Sequence, residues 1–385
     1  MPKIPDSEFV ERQTRVREIV RERGLDAALV YYDELHSSSG WYLCGWCPQF
    51  ESGAVLIPAA GEAAILGGAE SEPFARLDSH IKKTYNITVF MVPEEEYPTA
   101  TIHTMREALE EALGVTPRRL GIVGLGVMPL QVFNLLSEEL PDTEIVDLTE
   151  PFEALRVIKS PAELDVMREA FRINEQAFLA MKAAVRPGVP EYVVAAAAEG
   201  KARELGANGF GFGSIVAGGP RAAGVVPTAS DRPLEEGEYA MLGLSVKFEG
   251  YATAAGDMIP VGHVSDALAA HRQNLVEAFK IARDQLVPGP SGPEIDAPVR
   301  AFLVEKGYAP YLLIPFFHTQ GLNEADKPFF GPGSSDRLEE GMVIAIDVSL
   351  FGHPEFPGGR LETVYTITAS GAEPLSPGVE AAILA

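Results

Sequence analysis

Arg186-Pro187-Gly188-Val189-Pro190-Glu191 and Val287-Pro288-Gly289-Pro290-Ser291-Gly292-Pro293-Glu294 are two copies of one local signal, about a hundred residues apart. In each, a Pro-Gly pair halts a long helix and a following Glu opens a second one. The second helix ends at Leu205-Gly206 in the first copy and at Lys306-Gly307 in the other. The preceding long helices also carry start signals. Ser160-Pro161-Ala162-Glu163 combines an N-cap Ser, a Pro at the first helical position and a Glu three residues after the cap. Ser265 caps the helix of the second copy. A helix-helix-strand unit used twice is too few for a solenoid, so it predicts one domain with pseudo-twofold symmetry. Such a domain has a cleft between its halves where side chains from both converge.

Upstream of Ser160 the pattern changes. A helix is expected over 7–24, a strand over 26–32, a hairpin over 54–66 turning at 58–61, and a helix over 70–81. A strand at 87–92, a helix at 99–113, a strand at 120–123, a helix at 128–139 and a strand at 144–148 complete the series. Alternating helices and strands predict an α/β domain over residues 1–155, with the repeat-containing domain over 156–385.

Composition narrows the function. The 385 residues are 46% hydrophobic, enough for packed cores. Their formal charge of −24 repels phosphate backbones and anionic lipid, so no nucleic-acid or membrane partner is expected. The N-terminal MPKIPDSEF has no apolar signal core, and two cysteines cannot build a disulfide framework; both point to the cytoplasm. Cys44-Gly45-Trp46-Cys47 has redox spacing. It follows a Ser-Gly run and precedes Pro48, without the flanking strand and helix that thiol chemistry needs.

Six motifs, in order, carry a resemblance: Arg156-Val157-Ile158-Lys159-Ser160, Gly219-Pro220-Arg221, Glu236-Gly237-Glu238, His318 to Pro328, Glu340-Gly341-Met342-Val343 and Gly359-Arg360-Leu361-Glu362. Together they resemble the creatinase, prolidase and aminopeptidase P family over essentially the whole chain. The resemblance implies an α/β N-terminal domain followed by an α+β "pita-bread" domain. It also implies a homodimer in which an N-domain loop, here near Trp46, borders the partner's active site.

Peptidases of that family hold two metal ions with two Asp, one His and two Glu. Carried onto this chain, the two Asp positions fall on Gly243 and Ala254, the His on His318, and the two Glu on Asp347 and Glu362. A second family His becomes Ala325, and the His after Gly-Pro-Arg becomes Val226. Glycine and alanine supply no ligand, so no binuclear centre and no cofactor is expected. Losing the metal within this fold has a parallel in creatinase, which Gly250 to Ala254, His263 to Ala267 and Ser39-Gly40-Trp41 resemble. The departures at Val226, Gly256 and Trp46-Cys47-Pro48 argue against creatine itself.

The expectation is a metal-independent, creatinase-like hydrolase that cleaves a C–N bond in a small polar, cationic compound. His318 would move protons, and Asp347 and Glu362 would orient substrate or water. Tyr251, Thr253, Phe317, Gln320, Asn323, Arg360 and Trp46 are the candidate substrate-binding residues. Two alternatives stand beside this reading. One is an Xaa-Pro peptidase with a single ion at His318, Asp347 and Glu362; the other is a binding protein without chemistry.

Overall fold

The computed structural model describes all 385 residues, and its contacts divide the chain into two units. One comprises Ile4–Arg156, the other Met1–Lys3 with Val157–Ala385. The α/β-then-pita-bread architecture is present.

In the first unit a seven-stranded sheet runs, edge to edge, Ile102–His103, Lys83–Ile87, Ala64–Gly67, Gly53–Pro58, Ala27–Tyr32, Arg119–Val123 and Glu144–Asp147. Gly53–Pro58 is antiparallel to both neighbours, and the other pairings are parallel. Ala27–Tyr32 is buried along its whole length, which is why its six residues read as a continuous apolar run rather than alternating. Two boundaries differ from the sequence reading. The strand expected at 87–92 is Lys83–Ile87, and Thr88–Phe90 is a 3-10 turn. The helix expected from residue 99 begins at Met105, after a short edge strand. Thr104 and Glu107 close a capping box there and fix the start.

Cys44 is the last residue of the helix Ser38–Cys44 and is buried; Cys47 is half-buried. Burial pushes the Cys44 thiol up to about 12. At pH 8 its thiolate is then rarer than that of an ordinary thiol by roughly three orders of magnitude. Iodoacetamide is therefore expected to leave Cys44 unmodified in native protein and to alkylate it after denaturation. Peptide mass mapping reads this directly, and native labelling at the rate of a free thiol would contradict the burial.

The second unit is built around an antiparallel sheet. Its order is Asp326–Phe329, Phe317–Thr319, Val343–Phe351, Gly358–Thr368, Ala255–Pro260, Tyr239–Leu244 and Ile215–Ala217, with Gly371–Pro374 also pairing to Gly358–Thr368. The helix Pro161–Ala184 starts with the Ser160–Glu163 capping box and buries Met167, Phe171, Phe178 and Met181. The second halves of the repeat are the helices Glu191–Glu204 and Gly292–Glu305, the latter with a Ser291–Glu294 capping box. No helix is long and apolar enough to cross a membrane.

Register places the polar residues. Asp347 pairs with Glu362, Ser349 with Arg360, His318 with Ala345, and Gly256 with Glu362. Side chains alternate faces along a strand, so residues two apart share one. His318, Asp347, Arg360 and Glu362, from three adjacent strands, therefore emerge on the same face of the sheet.

Candidate active site

These four residues and Glu324 form the polar lining of a cavity of about 180 Å³. Phe212, Val226, Ile314, Pro315, Ala325 and Phe329 complete its wall. The charges are arranged around Arg360. Its Nη2 lies 3.2 Å from Asp347 Oδ2, its Nε donates to Asp347 Oδ1 at 3.3 Å, and Nε stands 3.7 Å from Glu362 Oε2. Ser349 Oγ also donates to Asp347 Oδ1. Burial would strip the guanidinium of its charge, but Asp347, Glu362 and Glu324 more than offset this and hold it protonated. Space for Arg360 comes from Gly256, where an added Cβ would lie 2.7 Å from Arg360 Cγ.

His318 is buried, with its Nδ1 3.0 Å from the Thr319 carbonyl oxygen. A carbonyl only accepts, so Nδ1 carries the proton and donates it, and Nε2 presents its lone pair to the cavity. Nε2 is 4.0 Å from Glu324 Oε1 and 4.0 Å from Glu362 Oε1, too far for hydrogen bonds. A carboxylate oxygen of each glutamate and a His318 nitrogen all lie within 4.8 Å of one another. Burial pushes both carboxyls up, and the charge of Asp347 adds to the effect in each. Two carboxylates this close inside a protein require a proton or a cation between them.

A two-ion centre does not fit. Gly243 and Ala254 bring no ligand atoms, and a Cβ built on Gly243 would lie 2.9 Å from Ile215 Cδ1, so Ile215 fills the space an acidic side chain would need. Asp347, the expected third ligand of a single ion, is instead engaged by Arg360 and Ser349. The ligand atoms lying within 4.8 Å of one another belong to His318, Glu324 and Glu362.

Of the residues expected to bind substrate, only Arg360 lines the cavity. The Tyr251 hydroxyl is buried and donates to Glu163 Oε1 at 2.8 Å. Thr253 Oγ1 is closed in a mutual pair with the backbone of Val246. Phe317 is fully buried and, next to His318 on its strand, faces the other way. The Gln320 amide is buried without a hydrogen-bond partner, and Asn323 donates to Asp326. Trp46 belongs to the first unit, where it lines a cavity of about 10 Å³ with Tyr32, Tyr85 and Asn86. No sequence signal marks Glu324, which lies one position before Ala325, where the resemblance loses its second His. Its carboxylate is the one that turns inward.

Comparison with known proteins matches both units. The profile of metallopeptidase family M24 matches residues 165–369, and that of the creatinase/prolidase N-terminal domain matches residues 12–158. An uncharacterized peptidase of Bacillus subtilis is 32% identical over 66% of this chain and 73% of its own length. An Xaa-Pro dipeptidase of Pyrococcus horikoshii is 26% identical over 95% of this chain and 97% of its own. The solved structure of an Xaa-Pro dipeptidase from Bacillus anthracis superposes with a TM-score of 0.81 at 26% identity, covering 96% of this chain and 98% of that one. These likenesses lie on the peptidase side of the resemblance and give no support to the creatinase-like side.

Proposed function

Because this chain belongs to metallopeptidase family M24, we propose that it is a hydrolase of small Xaa-Pro-type peptides, cleaving the C–N bond in the cavity floored by His318, Glu324, Asp347, Arg360 and Glu362. The observation that supports this most is the two-sided lining. Phe212, Ile314, Pro315 and Phe329 offer an apolar wall suited to a pyrrolidine ring, directly beside an acidic floor suited to a substrate ammonium group. The volume is about that of six waters, which limits the ligand to roughly dipeptide size. Arg360, fixed by Asp347, keeps the floor from being wholly anionic, and His318 holds its Nε2 toward the position of the scissile bond. The Xaa-Pro dipeptidases among its relatives favour this chemistry over a metal-independent creatinase-like hydrolase, and the chain would act on small peptides as a cytoplasmic homodimer.

The test is turnover of a panel of Xaa-Pro dipeptides, matched dipeptides without proline, and small amidines and ureas, each followed by chromatography of the products. Cleavage confined to the Xaa-Pro members is expected. Cleavage of the amidines or ureas alone would return the assignment to creatinase-like chemistry. Saturable binding of the dipeptides with no product from any compound would make the protein a binding module.

A further inference from the structure

We propose that this site has exchanged the two-ion centre of its family for a single divalent-ion site formed by His318 Nε2, Glu324 and Glu362, with the Arg360 guanidinium supplying the positive charge beside it. The proposal concerns binding of the ion and does not depend on which substrate is turned over.

Four observations converge. First, the three ligand atoms already lie within 4.8 Å of one another, on side chains that are buried or half-buried. Second, His318 is set up as a ligand: Nδ1 donates to a backbone carbonyl, which orients the ring and leaves Nε2 unprotonated. That nitrogen, on a residue that is 6% exposed, has no hydrogen-bond partner and stands 4.0 Å from an oxygen of each of the two glutamates. Third, three acidic side chains face a single guanidinium in this cavity, and the Glu324–Glu362 pair calls for a proton or a cation between its oxygens; a divalent ion held by His318, Glu324 and Glu362 would be that cation. Fourth, the second position of the family centre is closed from both sides. Ile215 fills the space beside Gly243, while Arg360 reaches through the gap left by Gly256 to engage Asp347 and approach Glu362.

One imidazole and two carboxylates are a borderline-hard donor set suited to Zn2+ or Mn2+ and poorly suited to a soft ion. Three protein ligands at the edge of a cavity leave a coordination position open to water or a substrate oxygen, where a bound ion acts as a Lewis acid. Glu324 is the residue that distinguishes this site, since neither of the lost aspartate positions supplies it.

The experiment is titration of chelator-stripped, full-length protein with Zn2+ and separately with Mn2+. Calorimetry gives stoichiometry and affinity, and the thermal transition gives the stabilisation that ligation must produce. One ion per chain is expected, bound at micromolar or tighter dissociation constant and raising Tm. Glu324→Gln is expected to weaken it at least about tenfold and His318→Ala to abolish it, with the circular dichroism of both metal-free variants unchanged. Two ions per chain would overturn the proposal, because a second ligand set would then exist. Binding no tighter than millimolar would also overturn it and leave the Glu324–Glu362 pair to be closed by a proton. Should Glu324→Gln bind as tightly as the native chain, Glu324 is no ligand and the assignment fails. If either variant loses its circular dichroism, Glu324→Asp decides in its place: it keeps the charge and shortens the reach, and undiminished affinity in it would count against the geometry.

Discussion

His318→Ala is expected to lower kcat/KM for an Xaa-Pro dipeptide by at least about a hundredfold, the lower end of what a positioned imidazole contributes. The ring is the one imidazole among the cavity-lining residues, and its orientation is fixed by the Nδ1 hydrogen bond to the Thr319 carbonyl. Nε2 therefore points into the cavity, free to take a proton from water or to ligate an ion, and alanine removes both capacities. The strand around it should tolerate the change. Phe317 and Thr319 are buried on the opposite face, and the backbone ladder from 317–319 to 344–346 does not involve the imidazole. The variant should keep its circular dichroism and, in chelator, a Tm close to that of the native chain. Retention of more than a tenth of the native kcat/KM would show that the chemistry lies elsewhere.

The part of this site that could be read from sequence, and the part that could not, divide along a physical line. His318, Asp347 and Glu362 are legible because the ordered motifs of the resemblance mark them, and the strand register brings them to one face. Closeness in sequence to His318 and Glu362, or to the family's lost ligand position at Ala254, is a poor guide to what lines the cavity, because neighbours on a strand face opposite ways. Neighbours such as Phe317 and His318 point in opposite directions, and Tyr251 and Thr253 spend their hydroxyls on Glu163 and Val246. The wall residues Phe212, Ile314 and Phe329 come from segments with no periodic signature, so only the folded chain assembles them. Asp347 shows the same limit from another side. A carboxylate at the end of the buried apolar stretch Met342 to Ile346 calls for a polar partner, and the partner is Arg360, thirteen residues on. In the fold, the cap signals at Ser160 and Ser265 and the stop at Pro187-Gly188 are legible because they are local. The strand Lys83–Ile87 was misplaced by several residues because Asn86, buried and bonded to Glu72, reads as a turn residue.

Arg360→Met carries the largest expected effect on stability. The methionine matches much of the volume packed over Gly256 and removes only the charge and its donors. What remains is Asp347 and Glu362, both almost fully buried, facing Glu324 with no compensating cation. Removing one partner of a buried ion pair typically costs about 3–5 kcal/mol, because the other is left charged and desolvated. At about 2–4 °C per kcal/mol for a unit of this size, Tm should fall by about 10 °C. Melting in chelator isolates the effect, since no bound ion can then substitute for the guanidinium. The loss belongs to the unpaired carboxylate rather than to a missing contact, so it should be reversible from the other side. Arg360→Met with Asp347→Leu, which removes both members of the pair, should recover a large part of the lost stability. Additive losses in the double variant would mean that Asp347 was never neutralised by Arg360. A single variant melting within about a degree of the native chain would mean that the cavity is wet enough to solvate its own acids.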